Sequence, residues 1–122
     1  KMELLSRALG RVKYYDQNRI AIIHLLHDDL TELGLTIEET RDVVDKIIDI
    51  ECVEVAVLFR EDINQKFKIS FRSKKNVDVL GISEKFGGGG HYHASGASIQ
   101  GTFSDLNKQV IDFLSDLLSK NL

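Results

Sequence analysis

The chain has 122 residues, of which 43% are hydrophobic and 29% charged, with a formal net charge of −3. That is enough for one domain with its own core and too little for two full ones. No apolar run approaches the roughly 20 residues of a membrane span, and no charged-then-apolar leader opens the chain. The lone cysteine, Cys52, excludes an internal disulfide and has no Cys or His neighbour at metal-ligand spacing. It is expected as a small buried thiol, in a chain suited to the cytoplasm. A start at Lys1 leads us to expect a processed chain or a segment of a longer one.

In chain order, Met2, Leu5 and Leu9 recur at helical spacing and predict a short helix over Met2–Leu9. Val12–Tyr15 and Arg19–Leu26 read as strands around the turn Asp16-Gln17-Asn18. The second is almost wholly apolar, as in a sheet covered on both faces, so His24 within it is expected to be structural. His27-Asp28-Asp29 resembles a metal or catalytic cluster, but its place between strand and helix favours Asp28 or Asp29 as a helix cap. Thr36–Ile50 predicts a helix with a capping box at Thr36 and Glu39 and an apolar stripe of Ile37, Val44, Ile47 and Ile48. Val53–Arg60 and Lys66–Ser73 predict two strands joined by a polar loop containing Asn64. In the second, Phe67, Ile69 and Phe71 alternate with Lys68, Ser70 and Arg72, so one face is polar. Asn76–Phe86 reads as a short helix ended by glycines, and Ser95–Gly101 as an extended segment. Ser104 is expected to cap a final helix with Leu106, Val110, Phe113, Leu114, Leu117 and Leu118 on its core side. The order predicts a single α/β domain, a mixed sheet of about five strands flanked by helices.

Net charge conceals an asymmetry. His27 to Asp62 holds 12 acids against 3 bases, whereas Ile63 to Gly101 holds 6 bases against 2 acids. Local potential, not net charge, steers a ligand, and the basic half is also the glycine-rich half. Four consecutive glycines, Gly87–Gly90, suit a flexible linker, a turn needing positive φ, or a backbone that approaches an anion with its N–H groups. The compact flanks, Phe86 before and His91 after, favour the last. His91 could donate to phosphate or meet a base. His93 is expected at the surface, and a His91–His93 metal pair lacks a third ligand. Arg72, at a strand end, offers a planar fork that fits phosphate, while Lys74 and Lys75 are expected to be solvated.

The strings Arg72-Ser73 and Phe86-Gly87-Gly88-Gly89-Gly90-His91-Tyr92-His93-Ala94-Ser95-Gly96-Ala97 resemble a known family. This is the first subtype of the DHH-associated domain, found at the C-terminus of DHH-family phosphoesterases. The nearest likeness is the bacterial nano-RNase type, enzymes that degrade short oligoribonucleotides and dephosphorylate 3′-phosphoadenosine 5′-phosphate. The resemblance implies that residues 1–10 are a linker helix from an upstream DHH domain and 11–122 the associated, substrate-binding domain. It implies binding roles for Arg72, Ser73, Gly88, Gly89, Gly90 and His91, and no catalytic or metal-ligating residue in this chain. It also implies short single-stranded RNA or nucleotide phosphates as ligands, and manganese in the upstream domain, whose Asp-His-His string this chain lacks. The alternatives are a nucleic-acid- or tRNA-binding module like the tail of alanyl-tRNA synthetases, part of a cyclic dinucleotide phosphodiesterase or single-strand exonuclease, and a dimerisation module whose glycines only turn the chain.

Overall fold

The computed structural model describes residues 9–32, 34 and 36–120. All but the last residue of the helix expected over Met2–Leu9 lies outside them. Strand β1 (Lys13–Tyr15) turns through Asp16, Gln17 and Asn18, all at positive φ, into β2 (Ile20–Leu25). Helices α1 (His27–Glu32) and α2 (Ile37–Ile48) then carry the chain across to β3 (Val55–Glu61). A 3-10 turn (Ile63–Gln65) leads into β4 (Lys66–Ser73). Helix α3 (Leu80–Lys85), β5 (Gly89–Gly90), β6 (Ala94–Gln100) and α4 (Phe103–Lys120) complete the order. The result is an α/β domain with a mixed sheet in the order β1-β2-β3-β4-β6-β5. Among the described residues, only β2 and β3, joined by the helical crossover, run parallel; every other neighbouring pair is antiparallel.

The two faces of the sheet carry separate cores. On one, α3 and α4 cover Ile22, Val57, Phe59, Phe67, Ile69 and Phe71, with Val110, Leu114 and Leu118 of α4 fully inside. On the other, Val43, Val44 and Ile47 of α2 pack on Ala21, Ile23, Ala56 and Leu58. Near-complete burial of β2 on both faces explains its unbroken apolar run. His24 fits there because its ring stacks on Phe103 at 3.9 Å and its Nε2 meets Glu61 Oε1 at 2.9 Å.

Caps follow local chemistry. Thr36 Oγ1 accepts from the Glu39 N–H at 3.2 Å, the expected box. Asp29 sits in the first turn of α1 and closes it from inside: its carboxylate accepts from the Leu26 N–H at 2.7 Å and pairs with Arg11 at 2.6 Å. Burial pushes this carboxyl up, and the Arg11 and Leu26 hydrogen bonds more than offset it, holding its pKa below the usual range.

Several local expectations need correction. Cys52 is exposed, because it lies in the turn between α2 and β3 rather than in either core. The final helix begins at Phe103, and Thr102 Oγ1, not Ser104, accepts the capping bond from the Asp105 N–H. The helix over Asn76–Phe86 is reduced to Leu80–Lys85, because Lys75 takes positive φ and the Asp78 carboxylate accepts from the Leu80 N–H. The expected mixed sheet of about five strands stands, with the glycines adding a short strand beside β6.

Candidate functional site

The core beneath α2 ends at β3. Beyond it, on the same sheet face, the alternation of β4 presents Lys68, Ser70 and Arg72. Their antiparallel partners on β6 are Ser98, Gly96 and Ala94, and Gly96 is in turn opposite Gly89 of β5. This strip therefore has charged and hydroxyl side chains on one strand and almost none on the next two. A groove of about 410 Å³ opens over it, lined by Lys68, Ser70, Gly87, Gly88, Gly96 and Ser98 among others.

The glycines make the strip flat. A Cβ on Gly88 would lie 2.1 Å from the Gly96 carbonyl oxygen, and one on Gly90, at φ +136°, 2.6 Å from the Ser95 Cα. Both positions demand glycine because β5 lies directly on β6. A Cβ on Gly89 would meet nothing within 4 Å. The loop is not a nest of free amides: the Gly87, Gly88 and His91 N–H groups donate to Glu84 O, Ser83 O and Ala94 O. Beneath it, Ser83 Oγ donates to Ser95 Oγ at 2.5 Å, and Ser95 Oγ donates to Val79 O at 2.6 Å, tying α3 to β6.

Arg72 ends the strip. Its Nε donates to Asp45 Oδ1 of α2 at 3.2 Å and its Nη1 to its neighbour's carbonyl, Phe71 O, at 3.0 Å. The guanidinium is thus pre-oriented while its side chain stays 22% exposed. Arg72 lies opposite Ala94, and Ala94 exchanges backbone hydrogen bonds with His91. Arg72 and exposed His91 therefore share one end of the sheet with a single strand between them, about 10 Å from backbone to backbone. Ser73 lies elsewhere: its side chain points to the α3–α4 core, buried, and its hydroxyl donates to Val77 O at 2.6 Å. It shapes the turn after β4. His93 is exposed and its Nε2 is 2.8 Å from Lys75 O. Lys74 reaches back to the Ile48 and Ile50 carbonyls at the end of α2, a structural tie rather than a solvated charge. Sequence reasoning missed Gly96, Ser98 and Arg60, which strand order brings near Lys68, and Arg41, which the packing of α2 brings there. Among the described residues, no three His, Cys, Asp or Glu side chains assemble into a metal-binding arrangement.

The chain belongs to the DHHA1 domain family, which it matches over residues 17–120. It is 36% identical over 83 residues to the bifunctional oligoribonuclease and PAP phosphatase NrnA of Bacillus subtilis, covering 68% of this chain and 26% of that protein. The chain thus spans about a quarter of that relative's length. An exopolyphosphatase-related protein from Bacteroides fragilis superposes with a TM-score of 0.83 at 25% identity, over 97% of this chain and 36% of that one. The C-Ala domain of Aquifex aeolicus alanyl-tRNA synthetase shares the fold, with a TM-score of 0.61 at 15% identity over 84% of this chain and 98% of that domain. Among the described residues, no helix is long and apolar enough to cross a membrane.

Proposed function

We propose that this chain is the substrate-holding part of a phosphoesterase that acts on short single-stranded RNA and nucleotide 3′-phosphates. The observation that carries the reading is the uncovered strip of β4, β6 and β5, polar on a face whose other half is packed core. Arg72 supplies a fixed, charge-assisted contact to phosphate, Gly88–Gly90 let the ligand's backbone lie close to the sheet, and His91 meets a phosphate or base at the edge. Ser73 acts at one remove, by holding the turn that follows Arg72. Residues 1–10 lead in from a DHH domain of the same polypeptide. Manganese held there would activate water and stabilise charge on the phosphate under attack. The likeness to NrnA supports this division of labour.

The test is calorimetric or NMR titration of the chain with triadenylate at two salt concentrations. We expect weak, salt-sensitive binding, because few phosphate contacts are available. Arg72→Ala should abolish most of it and Arg72→Lys should restore only part, since lysine keeps the charge and loses the fork. Full binding by Arg72→Ala would remove this strip from the site.

A further inference from the structure

The register of β3 on β4 sets Arg60 directly opposite Lys68, both on the face that α2 only partly covers. Arg41 of α2 joins them around a cavity of about 140 Å³ completed by Thr40, Leu58 and Ser70. Like charges directly opposite one another across a ladder destabilise a sheet. Among the described residues, none of these three cations has a side-chain hydrogen bond or ion pair. Among the described residues, three nearby carboxylates are engaged elsewhere. Glu61 points to the opposite face and meets His24, Asp62 accepts from the Ile63 N–H and lies 3.6 Å from His27, and Asp45 holds Arg72. Asp42, on the turn of α2 next to Arg41, is exposed.

Lys68 and Ser70 line both this cavity and the groove beside the glycine loop, so the two adjoin along β4. Along β4 the step from Arg72 to Lys68 is four residues, about 13 Å, long enough for more than one phosphate group. We propose that Arg41, Arg60 and Lys68 form a second anion subsite, which takes a further phosphate of an oligonucleotide already held at Arg72 and the glycine loop. This rests on the function proposed above and sharpens it: the subsite favours oligonucleotides over a single nucleotide. An unrelieved cation pair costs stability in the empty chain and is offset when a polyanion lies across it.

The test combines binding and stability. Arg41→Ala, Arg60→Ala and Lys68→Ser are each titrated with triadenylate and with adenosine 3′,5′-bisphosphate, and melted without ligand. Each variant should bind triadenylate about two- to fivefold more weakly, and Arg41→Ala and Arg60→Ala should bind the bisphosphate as the parent does. The slope of log affinity on log salt should flatten by about 0.7 for each phosphate that the variant no longer neutralises. Melting of Lys68→Ser should match or exceed that of the parent, which a structural role for Lys68 would not give. Equal losses for both ligands in Arg41→Ala and Arg60→Ala overturn the subsite, as does unchanged triadenylate binding in all three variants while Arg72→Ala still weakens it. Hexaglutamate bound by the parent as tightly as triadenylate would also overturn it, by making the patch a general anion attractor. If the parent binds neither nucleotide, the function proposed above falls and the subsite with it.

Discussion

The two faces of the sheet obey different rules although the same strands build both. Under α3 and α4 the apolar surface is continuous from β2 through β6, and every large side chain of β4 on that side is buried. Under α2 the apolar surface stops at β3, and the next residues outward are Lys68, Ser70 and Arg72. The covered face holds the fold together. The half-open face gives up burial to leave room beside a helix, and the polar groups gather in that room. One strand, β4, serves both through its period of two.

The largest effect should separate the faces within β4. Phe71→Ala removes a fully buried ring and should cost about 3–5 kcal/mol, whereas Ser70→Ala, one residue away, should stay within about 0.5 kcal/mol. Urea unfolding of the two variants measures the contrast, and comparable losses would erase it.

The glycine run should divide in the same way. Gly88→Ala forces a methyl against the β6 backbone and should cost about 1–3 kcal/mol. Gly89→Ala has open space and should leave melting nearly unchanged. If Gly89→Ala melts as low as Gly88→Ala, the whole loop is a structural turn.

Acid should act at α1 through Asp29. The Asp29 pKa is lowered in the folded chain, so Asp29 contributes stability that is fully present above its unfolded value of about 3.9. That contribution is lost as pH falls through the lower folded value. Asp29→Asn should flatten this part of the stability–pH profile between pH 5 and the acid transition, without changing triadenylate binding at neutral pH. A parallel loss of binding would mean that α1 also sets the strip.

The smallest effect marks where the α2 core ends. Exposed Cys52 should react with a thiol reagent in the native chain, and Cys52→Ser should change stability by no more than about 0.5 kcal/mol. Protection until unfolding would place the turn inside the core.

Much of this was legible in residue order. The alternation in Lys66–Ser73, the unbroken apolar β2, the capping box of Thr36 and Glu39 and the periodicity of α4 each depend on neighbours within a few positions, and each stands in the structure. Local rules failed where a competing local bond or a distant element decided. Asp78 and the positive φ of Lys75 shortened α3, Thr102 displaced Ser104 as the cap, and the turn after α2 left Cys52 outside.

The sequence by itself determined most of the elements, the two-sided burial of β2, the polarity of one face of β4, and the glycine-histidine string that marks the family. Only the tertiary structure decided that β4 lies between β3 and β6, and so that Arg60 faces Lys68, that Arg72 and His91 flank Ala94, and that Gly88 must be glycine because Gly96 lies under it. Strand order and register are long-range pairings, settled by which faces α2 and α4 can cover together, and no local spacing of residues encodes that choice.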